Sequence, residues 1–344
     1  MLPNTYQASY QAYQLHFKEP GGTSRGVLLS KMSYFVTVWR TGFPEIRGVG
    51  ECSILPGLSP DDKPNLTEML DWCCNNVNEI EGDFHDRLME WPAIRFAFEM
   101  AFRDLELGGR RIYFDSDFLN GSRGISINGL IWMGNIEEMS MRIRQKLNDG
   151  YNCLKLKIGA LNFEEEHALL KGLRKQFDPQ TLELRVDANG AFTPETAPAI
   201  LENLAKLSIH SIEQPLKHGQ WEAMATLCRN TPIPIALDEE LISIHNESQR
   251  KEMLNYIRAQ YIILKPSLTG GFLSSENWIT LASQAGCEWW VTSALESNLG
   301  LNAIAQWTAT LHNAMPQGLG TGQVFTNNVE SPLNVERGVL WYRS

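Results

Sequence analysis

Residues 153–187 read CLKLKIGALNFEEEHALLKGLRKQFDPQTLELRVD. The segment opens with a short apolar run, Cys153 to Ile158, and closes with a second one, Leu182 to Val186. The residues between the two runs have a helical pattern. A strand, a helix and a second strand in this order predict two parallel strands, because the helix carries the chain back to the edge where the next strand begins.

The same alternation continues on both sides of this segment, from Gly124 onward. Further runs with strand composition occupy residues 125–130, 210–212, 233–237, 261–264 and 289–292, and a weaker one lies near Leu319. We expect a helix after the first of these runs, with Asn135 as its cap and Gly150 at its end. The series has eight members, which can close into a (β/α) TIM-type barrel. An open doubly wound sheet is the alternative that the pattern leaves.

The chain before about Gly121 has a different texture. Leu15 to Phe17 and Tyr34 to Arg40 have strand composition, and the Gly-rich stretch 21–26 connects them. A helix is expected over Pro92 to Leu107, because proline favours its start and a glycine pair follows its end. These elements predict an N-terminal α+β module.

Length and charge limit the classes of function. The 344 residues are enough for a barrel, which takes about 250 residues, plus a smaller unit. With 30 Lys and Arg against 40 Asp and Glu, the net charge is −10, which disfavours nucleic acid and anionic membranes as partners and favours a small molecule. No secretory signal is recognisable in residues 1–20, and six cysteines without a CxxC motif are typical of reduced packing residues. We therefore expect a cytoplasmic protein.

Charged and polar residues stand at the carboxyl ends of six predicted strands. They are Lys157, Asp187, Glu213, Asp238, Lys265 and Ser293. Successive members are separated by 25 to 30 residues, which is the length of one βα unit. In a barrel all six would reach the same rim, where this fold places its active sites.

Asp187, Glu213 and Asp238 are three successive carboxylates in this set. Buried together they would repel one another unless a cation held them, and oxygen ligands of this kind suit Mg²⁺. The pattern therefore predicts a magnesium site. For any one of the three taken singly, a helix cap or a loop salt bridge is the alternative.

Lysines flank the predicted metal site. Lys155 and Lys157 are two residues apart on a strand and share a face, whereas Lys265 follows the sixth strand, across the barrel. A lysine accepts a proton only when it is neutral, and neighbouring cations disfavour its protonated form. We expect a proton-abstracting amine beside a Lewis acid. The alternative is that Lys155 and Lys265 only balance the carboxylates.

Five short motifs, in this order, carry a resemblance to a known family: Lys155-Leu156-Lys157, Asp187-Ala188-Asn189, Glu213-Gln214-Pro215, Asp238-Glu239 and Lys265-Pro266-Ser267. In order and spacing they resemble the enolase superfamily, and specifically its muconate-lactonizing-like subgroup. The resemblance covers nearly the whole chain. It implies a modified TIM-type barrel with an N-terminal α+β capping domain. In this division the capping domain spans residues 1–122 and the catalytic barrel spans residues 123–315. Residues 316–344 would form the last barrel strand and a C-terminal segment that returns to the capping domain.

The Gly-rich loop 21–26 and the segments Lys265-Pro266-Ser267-Leu268 and Ser293-Ala294-Leu295-Glu296-Ser297 carry a finer resemblance. They are similar to the carbon-oxygen lyases of menaquinone biosynthesis within that subgroup, which dehydrate 2-succinyl-6-hydroxy-2,4-cyclohexadiene-1-carboxylate to its aromatic product. The resemblance implies that Lys157 removes the proton α to the ring carboxylate. It implies that Mg²⁺ on the three carboxylates, with Mn²⁺ as a substitute, stabilises the resulting ene-diolate. Lys265 would lie against the opposite face of the ring as a fixed cation.

Further residues are expected around this centre. Asn189 and Glu239 follow predicted metal ligands and are expected to orient them or to pair with a lysine, with ordinary loop polarity as the alternative for Asn189. Arg185 stands two residues before Asp187, so we expect it to face the same side and to pair with the lysine and carboxylate cluster.

The substrate-binding residues that we expect lie on loops and on the eighth strand. Arg25 on the Gly-rich loop is expected to close over the substrate and meet its succinyl carboxylate, and a plain turn arginine is the alternative. Ser293 is expected to donate hydrogen bonds to the same carboxylate. Gly320 completes this set.

Other functions remain open at this point. N-acylamino-acid racemases, including those for N-succinylamino acids, use the same two opposed lysines, and a barrel that binds a small molecule without catalysis is the alternative from another class. Dipeptide epimerases are disfavoured, because their Asp-x-Asp on the eighth strand has no counterpart in residues 318–322. Glu240 stands where a small residue is common in the subgroup.

Overall fold

The computed structural model describes residues 5–23, 26–79 and 87–343. The N-terminal part is an antiparallel sheet of three strands in the order β1-β2-β3. The strands are β1 (Tyr6–Thr23), β2 (Gly26–Arg40) and β3 (Phe43–Ser53). The first two strands are much longer than the sequence predicts, and β3 is not predicted at all. Along the second half of β2, buried residues alternate with more exposed ones, as expected for a sheet with one face packed on a core.

In the described part of the chain, two helices cover this sheet, α1 (Leu66–Asn75) and α2 (Pro92–Glu106). The bounds of α2 agree with the prediction to within one residue. Its first turn is capped from outside the helix, because Asp61 accepts hydrogen bonds from the amides of Ala93 at 3.0 Å and Ile94 at 3.1 Å. These elements form the α+β module that the sequence predicts.

The second part contains a parallel sheet of seven strands, in the spatial order β5 to β11. The strands are β5 (Gly129–Ile131), β6 (Cys153–Lys157), β7 (Glu183–Asp187), β8 (Ser211–Glu213), β9 (Ile235–Leu237), β10 (Tyr261–Leu264) and β11 (Glu288–Val291). All seven overlap runs that the sequence predicts.

The eighth position is a segment of only two residues that joins the two edges of this sheet. Gln317 forms a parallel bridge with Ile127, and Gly318 forms one with Thr292. The amide of Gln317 donates to Ser126 O at 2.8 Å, and that of Gly318 to Val291 O at 2.8 Å. The sheet therefore closes as a barrel, and the open doubly wound alternative is excluded.

Helices surround the barrel. They are α3 (Ile136–Asn148), α4 (Phe163–Gln176), α5 (Ala197–Ala205), α6 (Trp221–Asn230), α7 (Glu239–Ile242), α8 (Glu247–Ile257), α9 (Pro266–Thr269), α10 (Gly271–Gln284) and α11 (Asn298–Thr310). The predicted cap of α3 is confirmed, because Asn135 and Glu138 form a reciprocal capping box. Gly150, with a φ of +81°, lies just beyond the end of this helix, also as predicted.

The C-terminal segment contacts both parts of the molecule. The amide of Lys18 in β1 donates to Val324 O at 2.9 Å, and the amide of Thr326 donates to His16 O at 2.9 Å. The hairpin of β12 (Leu333–Glu336) and β13 (Val339–Tyr342) then pairs with β4 (Ile125–Ser126) beside the barrel. The division at residues 122 and 315 stays a proposal.

Two composition-based expectations can be compared with the structure. All six cysteines are free thiols, and five of them are buried, which agrees with their expected role as reduced packing residues. In the described part of the chain, no helix has the length and apolarity that a membrane crossing requires.

Helix α2 lies so close to β3 that two glycines of the strand leave no space for a side chain. A Cβ added at Gly48 would be 1.8 Å from Ala101 O, and one added at Gly50 would be 1.8 Å from Ala97 O. Backbone atoms of a helix cannot move aside as a flexible side chain can. Helix α2 and strand β3 are therefore packed with their backbones in direct contact at these two positions.

We predict that Gly48→Ala destabilises the protein by at least about 1–3 kcal/mol, because the helix must separate from the strand. The matched control is Gly172→Ala in α4, where an added Cβ meets nothing within 4 Å. There the same substitution should stabilise the protein by about 0.5–1 kcal/mol. Urea denaturation of both variants measures the difference, and equal stabilities would contradict the close approach.

Candidate active site

A cleft lies at the carboxyl rim of the barrel, beneath the capping domain. Its apolar side is formed in part by Val27, Leu28, Leu55 and Leu58 from the N-terminal part and by Leu130 and Trp132 from the barrel. Its polar side is formed by the strand-end residues Lys155, Lys157, Asp187, Asn189, Asp238 and Lys265. An apolar wall facing a cluster of charged groups is typical of a site for a small organic acid.

The strand register brings the predicted residues together. Lys157 of β6 pairs with Asp187 of β7, which in turn pairs with Glu213 of β8. Asp238 directly follows β9, and Lys265 directly follows β10. The carboxyl ends of five neighbouring strands thus place one ionisable side chain each at the same level of the rim.

Each lysine is hydrogen-bonded to at least one of the three carboxylates. Lys155 Nζ donates to Asp187 Oδ2 at 3.0 Å and to Glu213 Oε2 at 2.7 Å. Lys157 Nζ donates to the same Asp187 oxygen at 2.9 Å. Lys265 Nζ is hydrogen-bonded to Asp238 and lies 3.9 Å from Glu213 Oε1. All three carboxylates are 1–2% exposed, so these ion pairs are shielded from water.

Burial and pairing act in opposite directions on the pKa values of this cluster. Burial lowers the pKa of Lys155, but Asp187 and Glu213 outweigh it, so the pKa is raised above its ordinary value. Lys265 is raised in the same way by Asp238 and Glu213. Burial raises the pKa of Asp187, but Lys155 and Lys157 hold it well below its usual range.

The other two carboxylates respond differently. Burial and the neighbouring Asp187 raise the pKa of Glu213 to about 7. Burial also raises the pKa of Asp238, although Lys265 opposes the rise. The cluster therefore still carries mutual repulsion between carboxylates that the lysines do not remove.

The donor chemistry of this cluster fits a hard divalent cation. Three carboxylates on adjacent strand ends offer only oxygen atoms. Among the described residues, no hydrogen-bond donor contacts the buried Oε1 of Glu213. In the arrangement seen here, lysine ammonium groups occupy the carboxylates, and within the described ranges no group of three Asp, Glu, His or Cys side chains could hold a metal as it stands.

Asn189 is hydrogen-bonded both to Lys157, the candidate base, and to Glu239, which follows Asp238 in the chain. Its Oδ1 accepts from Lys157 Nζ at 2.6 Å, its Nδ2 donates to Glu239 Oε1 at 2.9 Å, and its amide donates to Asp187 Oδ1 at 3.1 Å. Its φ of +45° lies in the left-handed region, which asparagine tolerates better than most residues. Asn189 and Glu239 therefore do contact this centre.

Gln214 and Glu240 form a second support, which the sequence does not identify as such. Gln214 Oε1 accepts from the amide of Asp238 at 3.0 Å, and its Nε2 donates to Glu240 Oε2 at 3.3 Å. Glu240 Oε1 accepts from the amide of Gly219 at 2.9 Å. This link ties the loop after Glu213 to the loop after β9. The only sequence signal is Glu240 itself, an acid where the subgroup usually has a small residue.

The prediction that Arg185 pairs with the lysine and carboxylate cluster is wrong. Its guanidinium donates to Glu183 Oε1 at 2.6 Å and to Pro316 O at 2.9 Å, and it lies 4.3 Å from the ring centre of Trp290. The carboxylates at the rim already have lysine partners. The long arginine side chain instead reaches toward the amino end of β7, where Glu183 lies.

The substrate-binding predictions have mixed outcomes. Ser293 lines the cleft, but its amide donates to Gly318 O at 3.0 Å and its hydroxyl to Glu296 Oε2 at 2.7 Å. In this arrangement it has no donor left for a ligand, which corrects the predicted role. Gly320 lies in the cleft wall. Arg25 falls outside the described residues.

Two cleft residues were missed although they occupy strand-end positions. Asn128 precedes β5, and Thr292 follows β11. Within the described chain, Asn128 Oδ1 and Thr292 Oγ1 are buried without a hydrogen-bond partner. Thr292 lies at a carboxyl strand end like the lysines and carboxylates, whereas Asn128 lies before its strand. Both side chains are uncharged, so a pattern of charged residues at carboxyl strand ends does not include them.

Comparison with known proteins identifies the class. Residues 138–343 match the sequence profile described as enolase C-terminal domain-like, so the chain belongs to the enolase superfamily. Over 365 aligned positions it is 50% identical to an o-succinylbenzoate synthase from Desulfotalea psychrophila (strain LSv54 / DSM 12343), with 97% of this chain and 98% of that protein covered.

Solved structures agree with this placement. The crystal structure of MenC from Desulfotalea psychrophila LSv54 superposes with a TM-score of 0.85 at 45% identity, covering 98% of this chain and 99% of that one. The L-Ala-D/L-Glu epimerase from Bacillus subtilis superposes with a TM-score of 0.81 at 21% identity, covering 98% of this chain and 95% of that chain. The second likeness shows the fold alone.

We predict that Lys155→Met destabilises the protein by about 3–5 kcal/mol, because it leaves two buried carboxylates without their shared ammonium group. Lys251→Met, the same substitution at an exposed position of α8, should change the free energy of unfolding by no more than about 0.5 kcal/mol. Urea denaturation of both variants measures the difference. A Lys155→Met variant as stable as the control would mean that the ion pairs contribute little.

Proposed function

We propose that this chain is an o-succinylbenzoate synthase, a hydro-lyase that converts 2-succinyl-6-hydroxy-2,4-cyclohexadiene-1-carboxylate to 2-succinylbenzoate in menaquinone biosynthesis. The observation that carries the proposal is the convergence of Lys157 and Lys265, from opposite sides of the barrel, on one cleft beside three carboxylates. The near-full-length relative of the same name, at 50% identity, supports the substrate.

Lys157 is the proposed base and acid of the reaction. In its neutral form Nζ removes the proton from the ring carbon that bears the carboxylate. The resulting ammonium then gives this proton to the hydroxyl on the adjacent carbon. One C–H and one C–O bond break on the same face, a C=C bond forms, water leaves and the ring becomes aromatic. Asn189, whose Oδ1 is 2.6 Å from Nζ, positions the amine.

We propose Mg²⁺, with Mn²⁺ as a substitute, as the cofactor, held by Asp187, Glu213 and Asp238. When bound, the ion supplies positive charge to the oxygen atoms of the ring carboxylate as proton removal makes them more negative. Lys155, which donates hydrogen bonds to both Asp187 and Glu213, would hold these two ligands in place from deeper in the barrel. Lys265 presents a fixed positive charge to the other face of the ring.

The charge and the cysteines of the chain bear on its partners and its location. The net charge of −10 disfavours nucleic acid and anionic membrane surfaces as partners, and the lysines that line the cleft support a small-molecule carboxylate. Six free cysteines support a reducing, cytoplasmic location.

N-succinylamino-acid racemisation is the second candidate, because the same two lysines on opposite sides of one cleft could remove a proton from one face of a Cα atom and return it to the other. In D₂O, such a reaction exchanges the Cα hydrogen of an N-succinylamino acid for deuterium, which proton NMR detects. A protein that only binds a small molecule would neither dehydrate the cyclohexadiene nor exchange this hydrogen.

The direct test is incubation of the purified protein with the cyclohexadiene carboxylate and Mg²⁺, followed by the ultraviolet absorbance of the aromatic product. We predict turnover by the wild type and a loss of about 10²–10⁴-fold in kcat for Lys157→Ala, since the proton-transfer group is removed. Lys251→Ala, at an exposed position, is the matched control and should keep full activity. Absence of the aromatic product with a folded wild-type protein would refute the function.

For the metal, we predict that a chelator abolishes turnover, that added Mg²⁺ restores it, and that isothermal calorimetry shows Mg²⁺ binding. Glu213→Gln should weaken that binding, because a neutral amide replaces a carboxylate. The control is Asp104→Asn, at a buried carboxylate in the capping domain. Full activity in excess chelator would contradict the metal proposal.

A further inference from the structure

Three ionisable side chains outside the catalytic cluster are buried between the capping domain and the barrel. Lys31 of β2 is 2% exposed, whereas Glu51 of β3 and Glu296, in the loop after β11, are fully buried. Burial lowers the pKa of Lys31, and the nearby Glu51 and Glu296 carboxylates oppose this effect. Charged groups in such a place are retained only when they are paired and hydrogen-bonded. We call these three residues the interdomain network.

Glu51 holds the start of α11 from the capping domain. Its Oε1 accepts from the amide of Ser297 at 2.9 Å and from the Ser33 hydroxyl at 2.7 Å. Its Oε2 accepts from the Ser297 hydroxyl at 2.6 Å and from the amide of Gly300 at 2.9 Å. A carboxylate from one domain thus binds the amino end of a helix in the other.

Glu296 connects two loops of the barrel rim. Its Oε1 accepts from the hydroxyl of Ser267, two residues after Lys265. Its Oε2 accepts from the Ser293 hydroxyl at 2.7 Å and the Ala294 amide at 2.8 Å. The segment that carries Lys265 and the segment 293–297, which we call the wall of the cleft, are therefore both hydrogen-bonded to the Glu296 carboxylate.

Lys31 fixes the same wall from above. Its Nζ donates to Leu295 O at 2.9 Å and also to the Ser53 hydroxyl. Leu295 has a φ of +60°, a left-handed conformation that costs a residue other than glycine about 1–2 kcal/mol. Both Ala294 and Leu295 line the cleft. The hydrogen bond from Lys31 thus stabilises a strained backbone at the surface that a substrate would contact.

We propose that Lys31 and Glu296 are positioning residues of the active site, which fix the wall at residues 293–297 and the loop of Lys265 relative to Lys157. The inference rests on the proposed function for its kinetic consequence, and its structural consequence is independent of that function. Glu296 acts on the Lys265 loop through Ser267, and Lys31 acts on the wall through Leu295. Glu296 also holds the wall through Ser293 and Ala294, whereas Lys31 has no hydrogen bond to the Lys265 loop among the residues that the structure describes. A change in kcat is therefore expected for Glu296, and Lys31 should mainly affect KM.

The test compares Glu296→Gln and Lys31→Met with Asp104→Asn. Asp104 is an equally buried carboxylate that accepts two backbone amides, Val49 at 3.0 Å and Arg111 at 2.6 Å, away from the cleft. Glu296→Gln should lower kcat about tenfold, since Lys265 loses its fixed position, and Lys31→Met should raise KM about tenfold, since the wall moves. Hydrogen exchange at residues 293–300 should become faster in both variants. Asp104→Asn should lower the melting temperature but leave the exchange and both constants within about twofold of wild type.

Two results would overturn the proposal. One is wild-type exchange at residues 293–300 together with wild-type kinetics in Lys31→Met and Glu296→Gln. The other is a loss of kcat/KM in all three variants in proportion to their loss of stability, which would make the network merely structural. If the wild-type protein forms no aromatic product, the proposed function fails, and the exchange comparison alone then decides whether the network holds the wall.

Discussion

The mutual pairing of three lysines and three carboxylates at the barrel rim is the constraint on which the rest of the structure depends. None of the six groups would be stable alone at this depth, because the cost of burying an unpaired charge is several kcal/mol. Their pairing requires strands β6 to β10 to end at one level, so it requires the parallel register that the structure shows. Burial, together with the remaining repulsion from Asp187, raises the pKa of Glu213 to about 7. The lysines thereby allow the carboxylates to be buried in the folded protein, and the repulsion that remains between the carboxylates favours the binding of a cation.

The capping domain completes this site by covering it. An apolar wall from β2 and the loop after β3 faces the charged rim, so a bound organic acid would be enclosed between a surface that excludes water and a surface that carries charge. Electrostatic interactions are stronger where water is excluded. The interdomain network gives this cover a defined position, because Lys31 and Glu51 hydrogen-bond to the barrel loop rather than to solvent.

Much of the barrel could be predicted from the sequence, because its strands are short apolar runs at regular spacing and its rim residues are charged. Helix α2 and the cap at Asn135 were predictable from local signals. Strand β3 was not, because Pro44, Gly48 and Gly50 are poor strand formers, and the contact with α2 that requires the two glycines is distant in sequence. Arg185 bonds to nearby Glu183 and to distant Pro316. Ser293 likewise bonds to nearby Glu296 and to distant Gly318, and a strand pattern does not reveal which of these partners a side chain takes.

The way in which the barrel closes has a consequence for how the protein is made. Within the described residues, Gln317 and Gly318 alone bridge its two edges, and residues 324–326 lie against β1. During synthesis, the first seven parallel strands therefore leave the ribosome before residues 317 and 318, which close the barrel, have been added to the chain. Until residues beyond 316 emerge, the two open edges of the nascent sheet have no partner in the finished arrangement, and the chain is then most exposed to mispairing with its neighbours.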